Sequence, residues 1–229
     1  MKWYQKAAAQ DEAAAFPGLA WAYYLGKGAD QDFAQALQWF RKAAQGQDAQ
    51  SKYMLGYLYE EGKGVAADAQ EAAKWYKQAA DAGSTQAMES LGAMYFFGKG
   101  VSQDFAQAAR WYKLPAEQGS AYAQYLLGYL YEDGKGVAAD PEQALKWYRL
   151  AAQQGEPRAQ SRLGWMLWEG KGVAQDAVAA HMWSNLAASQ LSGEEGERAG
   201  KMRDFIASKL SPEQLTKAQA MARNWAPAK

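Results

Sequence analysis

The sequence contains no cysteine and a single histidine, His181, among its 229 residues. Disulfide frameworks, thiolate zinc sites and a cysteine nucleophile are therefore excluded, and one histidine cannot supply the usual ligands of a zinc site. No serine lies in a Gly-x-Ser-x-Gly motif. His181 falls on the packing face of a repeated helix described below, so we expect a core residue rather than a catalytic base. The sequence thus indicates no catalytic residue, no metal site and no cofactor.

The chain also lacks an excess of charge of either sign and any long apolar run. Its 25 basic residues balance its 25 acidic residues, so no general electrostatic attraction to nucleic acid or to an anionic membrane surface is expected. No stretch approaches the roughly 20 apolar residues that cross a bilayer, which predicts no membrane span. With 49% apolar residues, the chain can still bury a sizeable core.

What the chain does contain is a repeat of 36 residues. Tryptophan, a Gly-Lys-Gly triplet and an aspartate all recur in the same phase. These positions are Trp3, Trp39, Trp75, Trp111, Trp147 and Trp183, the triplets that begin at Gly26, Gly62, Gly98, Gly134 and Gly170, and Asp32, Asp68, Asp104, Asp140 and Asp176. A fixed period of this length is the signature of a repeat architecture.

Each copy contains two helical patterns, which we call helix A and helix B. In helix A of the third copy, Leu91, Gly92 and Tyr95 share one face, and Gly92 allows a neighbouring helix to approach closely. Helix B begins after the aspartate, where Asp68 is predicted as the N-cap and Glu71 as its capping-box partner. The patterns therefore predict a chain of helix pairs.

The Gly-Lys-Gly triplet could be mistaken for a phosphate-binding loop. Such a loop follows a strand, leads directly into a helix and usually carries a Ser or Thr after the lysine. Gly62-Lys63-Gly64 follows helix A and precedes Val65. We interpret it as a turn whose first glycine ends helix A in the left-handed conformation and whose lysine complements the negative end of that helix.

Differences between the copies predict two further features. Pro115 lies inside helix B of the third copy, which predicts a kink or an early end of that helix. The second and fourth copies match at 19 of the 27 positions when 55–81 is compared with 127–153. This match suggests duplication of a unit of two repeats, so structural features should alternate with a period of 72 residues.

The stretch LGYLYEEGKGVAADAQEAAKWYKQAADAG resembles the Sel-one-like repeat family, which is related to the tetratricopeptide repeat but has a longer loop between its helices. The resemblance covers about Leu19 to Ala188. It implies an all-α, right-handed α-solenoid of helix-turn-helix repeats that binds partners, often as an adaptor in bacterial envelope, secretion or signalling pathways. It also favours a bacterial periplasmic or envelope location, with the cytoplasm left open.

The repeat pattern divides the chain into three segments. Residues 1–11 match the second half of a repeat, so we interpret them as helix B of a truncated copy. Residues 12–191 hold five repeats, and residues 192–229 are predicted to form capping helices, the last of which starts at Ser211 with Gln214 as its capping-box partner. We expect a monomer, and end-to-end contact through the N-terminal half-repeat is left open as an assembly mode.

The relation to tetratricopeptide repeats implies a concave wall, formed by helix A residues that flank the packing face. The predicted partner-binding residues on this wall are Trp21, Tyr24, Tyr53, Tyr57, Glu60, Glu89, Phe96, Tyr125, Tyr129, Glu132, Trp165 and Trp168. They predict an aromatic floor with an acidic edge. Two alternatives remain open here: the aromatics pack between helices, or the acids pair with the nearby loop lysines Lys63, Lys135 and Lys171.

The predicted function is a non-catalytic scaffold or adaptor that binds a protein or an extended peptide on this wall. Tyr and Trp are the residue types favoured at binding hot spots. A glycan ligand, such as a cell-wall fragment, is a variant of this interpretation because sugars also stack on aromatic rings. An enzyme that acts on β-lactams is the other alternative, but the family members linked to that activity carry paired cysteines, which this chain lacks.

Overall fold

The computed structural model describes residues 2–10 and 12–228. Within these residues the chain forms thirteen α-helices and one short 3-10 helix, and no strand. The all-α fold of tandem helix pairs predicted from the sequence is confirmed. Met1, Asp11 and Lys229, which belong to the predicted segments 1–11 and 192–229, lie outside the described residues.

The helices alternate between the two predicted types. The A helices are α2 (Phe16–Leu25), α4 (Ala49–Glu61), α6 (Thr85–Phe97), α8 (Ala121–Asp133) and α10 (Pro157–Glu169). The B helices are α1 (Lys2–Ala9), α3 (Phe33–Ala43), α5 (Ala69–Asp81), α7 (Phe105–Glu117), α9 (Pro141–Gln153) and α11 (Ala177–Gln190). The 3-10 helix Ala13–Ala15 precedes α2, and α12 (Gly193–Ala207) and α13 (Pro212–Asn224) follow the last pair.

The chain divides into two compact units, unit 1 (Met1–Trp111) and unit 2 (Tyr112–Lys229), and the boundary between them falls within α7. Each unit has its own buried core between its A and B helices. Phe40 and Tyr76 are fully buried in unit 1, and Tyr148 and Met166 are fully buried in unit 2. The division of the chain at residues 11 and 191 stays a prediction.

A glycine in the middle of helix A makes room for a large B-helix ring. A Cβ atom added at Gly56 would lie 2.5 Å from the ring of Tyr76, and one at Gly128 would lie 2.8 Å from the ring of Tyr148. Both distances are too short for any side chain larger than hydrogen. The close helix approach predicted for this glycine position is confirmed in these two copies.

The Gly-Lys-Gly triplet forms the turn that ends helix A. Gly62 adopts the left-handed conformation with φ of 67° and donates its backbone N–H to the carbonyl of Leu58. Gly64 has φ of 72°, and a Cβ there would lie 2.4 Å from the backbone of Phe33, the first residue of α3. The predicted turn is confirmed, and its second glycine packs against the helix B of the preceding copy.

The aspartate before helix B is an N-cap, as predicted, but the prediction of a capping box with Glu71 is wrong. Asp68 accepts hydrogen bonds from the backbone N–H groups of Gln70 and Glu71, both at 3.0 Å. The backbone N–H of Asp68 donates to the carbonyl of Tyr59 at 2.9 Å, so it needs no bond from the Glu71 side chain. Glu71 instead pairs with Lys74 at 2.9 Å.

The start of α13 shows the capping box that was predicted there. Ser211 Oγ accepts a hydrogen bond from the backbone N–H of Gln214, and the Gln214 side chain accepts one from the backbone N–H of Ser211 at 2.9 Å. The predicted cap, with Pro212 in the first turn, is confirmed.

The early helix end expected at Pro115 is wrong. Helix α7 continues through Pro115 to Glu117 and has 13 residues, the same length as α5 and α9. Pro115 lies in the last turn, where the missing N–H removes one hydrogen bond only and few later residues depend on it. The carbonyl of Pro115 itself accepts the N–H of Ser120 at 3.0 Å, which closes the helix normally.

Candidate functional site

In unit 1, three predicted wall aromatics form a connected group that is half-buried. The Trp21 ring meets Phe40 and Tyr24 edge-on, each with a centroid distance of 5.5 Å. The Tyr24 ring lies 6.5 Å from that of Tyr57. Burial, together with the hydrogen bond to Tyr57, raises the pKa of Tyr24. One side of these rings therefore packs on the core, while the other remains accessible to solvent.

Two neighbouring tyrosines of α4 have clear intramolecular partners. The Tyr53 ring packs on the buried Tyr76 ring at a centroid distance of 5.6 Å. The loop residue Lys63 donates from Nζ to the hydroxyl of Tyr57 at 2.6 Å and also lies 4.6 Å from the centre of that ring. The loop lysine thus folds back over the last turns of helix A.

Glu60 is bound on two sides within unit 1. It accepts a hydrogen bond from the hydroxyl of Tyr76 at 2.7 Å and another from Lys99 Nζ at 2.8 Å. Only 23% of its side chain is exposed. Of the two other predicted wall residues, Glu89 is half-buried and Phe96 packs on Phe105 at a centroid distance of 5.4 Å.

Unit 2 repeats these contacts 72 residues further along the chain. Lys135 donates to the hydroxyl of Tyr129 at 2.5 Å, as Lys63 does to Tyr57. Glu132 accepts from the hydroxyl of Tyr148 at 2.8 Å, and Lys171 Nζ lies 3.7 Å from it. The alternation with a period of 72 residues is confirmed at these contacts.

The two repeated glutamates therefore do not form an open acidic edge. Their lysine partners, Lys99 and Lys171, come from the following repeat, whereas the sequence suggested the lysine of the same repeat. The neighbouring acid Asp133 pairs with the lysine of its own loop, Lys135, at 2.9 Å. Glu60 and Glu132 link consecutive repeats inside each unit, which accounts for their place near the end of helix A.

Unit 2 also contains a cleft that the sequence did not predict. It has a volume of about 600 Å³ and lies between the A helices α8 and α10 on one side and α12 on the other. Its apolar lining comes from Tyr125, Trp165, Leu191, Met202 and Phe205. Two of the predicted wall residues, Tyr125 and Trp165, therefore lie in one cavity. A volume of this size accommodates a ligand as large as a few amino-acid side chains.

Cations outnumber acids around this cleft. Arg158 and Arg162 line it from α10, Arg198 and Lys201 line it from α12, and Glu195 is the carboxylate among the lining residues. Glu195 pairs with Arg158 at 3.1 Å. Burial raises the pKa of Tyr125, whereas Arg162 and Arg158 lower it. The Tyr125 hydroxyl thus stays protonated at neutral pH.

Helical spacing could have revealed part of the cleft. Arg158, Arg162 and Trp165 follow at i, i+4 and i+7, and therefore share one face of α10. Arg198 and Phe205 likewise share one face of α12. The sequence alone did not show that these two faces oppose each other, because α12 lies beyond the last copy of the repeat.

Trp168 is the remaining predicted wall residue, and His181 is the histidine expected on the packing face. The Trp168 ring meets Phe205 edge-on at a centroid distance of 5.3 Å. His181 is buried in α11, as expected for a packing residue, and its Nδ1 has no hydrogen-bond partner in the described part of the chain. Burial and the nearby charge of Arg203 lower the pKa of His181, which Asp204 partly opposes. The imidazole is therefore neutral at pH 7.

The Sel1 repeat model matches the chain over residues 1–12, 18–48, 49–84, 85–120, 121–156 and 157–190. The chain belongs to the Sel1 repeat family. Sel1 repeats are generally protein–protein interaction modules and are typically non-enzymatic. The comparison with curated proteins gave no match.

Two solved structures support the same assignment. A protective antigen of uropathogenic Escherichia coli with an SLR fold is 33% identical, with a TM-score of 0.80, and covers 97% of this chain. This chain spans only 48% of the antigen. A Sel1 repeat protein from Oxalobacter formigenes is 29% identical, with a TM-score of 0.79, over 94% of this chain and 89% of that protein. Among the described residues of the present Sel1 protein, no helix has both the length and the apolar character to cross a membrane.

Proposed function

We propose that this Sel1 repeat chain is a non-catalytic adaptor that binds a peptide or protein segment through the aromatic side chains of its A helices. We call these side chains the A-helix aromatics: Trp21, Tyr24, Tyr53 and Tyr57 in unit 1, and Tyr125, Tyr129 and Trp165 in unit 2. The family favours this role because its repeats generally mediate protein–protein interactions.

The observation that carries the proposal is a difference in burial between the A-helix aromatics and the two B-helix tyrosines on which helix A packs. The B-helix tyrosines Tyr76 and Tyr148 are fully buried. The A-helix aromatics, by contrast, keep part of each ring in contact with solvent, and Trp165 is 42% exposed. Partly exposed Tyr and Trp side chains on a fixed helical frame are typical of binding hot spots.

Photocrosslinking tests the proposal at one residue. The photoreactive amino acid p-benzoylphenylalanine replaces Trp165 in one variant and Trp3 in a matched control, because Trp3 is also an exposed tryptophan but lies on α1, a B helix. Each variant is irradiated in lysate of the source cell, and the adducts are identified by mass spectrometry. We expect a protein adduct at position 165 that is absent at position 3.

A point substitution separates binding from folding. Trp165→Ser should weaken capture of that partner while leaving the helix content, measured by circular dichroism, unchanged. Identical adducts at both positions, or unchanged capture by Trp165→Ser, would show that the A-helix aromatics are not the recognition surface.

A further inference from the structure

The cleft of unit 2 lies on the A-helix face, so an inference about its ligand rests on the proposed function and makes it more specific. The cleft is lined by two kinds of side chain, an aromatic group that we call its base and a cationic group that we call its rim. Tyr125, Trp165 and Phe205 supply aromatic surface, and Arg158, Arg162, Arg198 and Lys201 supply four positive charges. Glu195 is the one carboxylate among the lining residues, and Glu132 lies 3.8 Å from Arg162. We propose that this cleft binds an acidic segment of a protein partner that carries one large apolar side chain.

The first argument comes from the two rim cations of α12. Arg198 and Lys201 have side chains that are 77% and 81% exposed. Their intramolecular partners, Glu194 and Glu197, lie one helical turn away on the same helix at 3.1 Å and 3.9 Å and do not line the cleft. Exposed pairs of this kind contribute little to stability. A ligand carboxylate can therefore replace Glu194 or Glu197 at small cost.

The second argument is that the chain already places one carboxylate inside the cleft. Glu195 reaches from α12 to Arg158 on α10 and forms a charge-assisted hydrogen bond of 3.1 Å. Both side chains are about half exposed. This pair demonstrates that a carboxylate fits between the two helices beside the aromatic base. An acidic ligand would compete with Glu195 for Arg158.

The third argument is the difference from unit 1 at the equivalent positions. Arg158, Arg162 and Trp165 are replaced 72 residues earlier by Gln86, Ser90 and Ala93. The described residues of unit 1 therefore share the tyrosine base but not the cationic rim. Binding of an acidic segment should be a property of unit 2.

Fluorescence anisotropy of labelled peptides tests the ligand class. The probes are acetyl-Glu-Glu-Phe-Glu-Glu-amide, the same peptide with Lys in place of Glu, and the same peptide with Ala in place of Phe. We expect the acidic Phe peptide to bind most tightly and its affinity to fall as salt screens the rim, between about 0.05 M and 0.5 M NaCl. Equal or tighter binding of the Lys peptide would overturn the proposal.

Three charge variants locate the site. The double variant Arg198→Gln/Lys201→Gln should bind the acidic Phe peptide with about fivefold lower affinity, since two exposed charge contacts are lost. Glu195→Gln should raise the affinity for this peptide by about twofold because a competing carboxylate is removed. The matched control Lys217→Gln/Arg223→Gln changes two exposed cations of α13 that lie outside the cleft, and it should leave affinity unchanged. An unchanged affinity in the cleft variant, or a weaker one in Glu195→Gln, would contradict the proposed site.

Two further probes separate this inference from the proposed function. A displayed library of random peptides, selected on the wild-type chain, should be enriched in acidic sequences with an aromatic or large aliphatic residue. The selection could instead enrich neutral or basic peptides that bind the wild-type chain but not the Trp165→Ser variant. That result would refute the acidic ligand and would support the adaptor function. A single-stranded oligonucleotide with the same net charge should bind more weakly than the acidic Phe peptide; tighter binding would show that charge alone selects the ligand.

Discussion

Glu132 accepts a hydrogen bond of 2.8 Å from the hydroxyl of Tyr148, and only 5% of the Glu132 side chain is exposed. Arg162 and Lys171 lie 3.8 Å and 3.7 Å from the same carboxylate. One acid thus joins helix A and helix B of its own copy to the following copy. The burial of Tyr148 and the nearby charge of Glu132 raise the pKa of the Tyr148 hydroxyl, which favours the protonated phenol as the hydrogen-bond donor.

We predict that Glu132→Ala lowers the free energy of unfolding by about 2 kcal/mol, because a buried hydroxyl loses its charged acceptor. The equivalent change Glu60→Ala should cost about 1 kcal/mol, since Glu60 is more exposed and its loss leaves less buried polar surface. Urea unfolding followed by circular dichroism measures both values. A larger loss in Glu60→Ala would show that burial does not determine the cost.

Replacing the glycine in the middle of helix A by alanine should destabilise the chain, although this replacement usually stabilises a helix. Alanine normally stabilises a helix over glycine by about 1 kcal/mol. At Gly128, however, the added methyl group would lie 2.8 Å from the Tyr148 ring and 3.3 Å from the carbonyl oxygen of Ala144. We expect Gly128→Ala to lower the melting temperature, at a net cost of about 1–2 kcal/mol.

Gly200 supplies the matched control within the same unit. It lies inside α12, and a Cβ there would have no atom within 4 Å. Gly200→Ala should therefore raise stability by about 0.5–1 kcal/mol. If both alanine variants were stabilising, the close packing of Tyr148 on helix A would be wrong.

Substitution of Gly64, the second glycine of the loop triplet, should cost more stability than substitution of Gly83. Both glycines have a positive φ, but only Gly64 also packs closely against another part of the backbone. Gly64→Ala places Cβ 2.4 Å from the backbone of Phe33 and also strains a positive φ, so we expect a loss of about 3 kcal/mol. Gly83 has φ of 92° but open space around it, and Gly83→Ala should cost about 1 kcal/mol. Thermal unfolding of the two variants compares them directly, and equal losses would argue against the contact between the loop and α3.

His181 should make stability depend on pH. Its pKa in the folded chain is lowered by burial and by Arg203, although Asp204 opposes this shift, whereas the unfolded chain has the ordinary value of about 6.5. The unfolded state therefore binds a proton more readily, and stability should fall as the pH decreases from about 7 to 5.

The substitution His181→Leu isolates this effect, because leucine occupies the same repeat position at Leu37 and Leu145. Carboxylates also titrate near pH 5, so the informative quantity is the difference between the wild-type and variant curves of melting temperature against pH. We expect that difference to grow in favour of the variant as the pH falls. Parallel curves would mean that His181 titrates normally in the folded chain.

Most of the fold could be predicted because its determinants are local and repeated. The glycine that ends helix A, the aspartate that caps helix B and the glycine that admits Tyr76 each act within one copy or between adjacent helices. The two errors have different causes. The backbone N–H of Asp68 already donates to the carbonyl of Tyr59, and Pro115 lies too close to the end of α7 to disrupt that helix.

The candidate site was predicted less completely, because its parts are far apart in the sequence. The aromatic positions predicted on helix A keep part of each ring exposed, and their role in binding stays a prediction. Two of the predicted acidic residues, Glu60 and Glu132, are paired with Lys99 and Lys171, which reach back from the next copy. Ion pairs between repeats depend on how successive helix pairs stack, which no single copy encodes.

The amino-acid sequence by itself determined the repeat length, the helix pairs, the aspartate and serine caps and the glycine turns, because these follow from periodicity, capping and glycine conformation. Only the tertiary structure decided which polar groups meet across repeats and that α12 lies opposite α10. The cleft between Arg158 and Arg198 exists because two helix faces from different parts of the chain pack side by side, and the charge of a binding surface depends on that packing rather than on the composition of either helix.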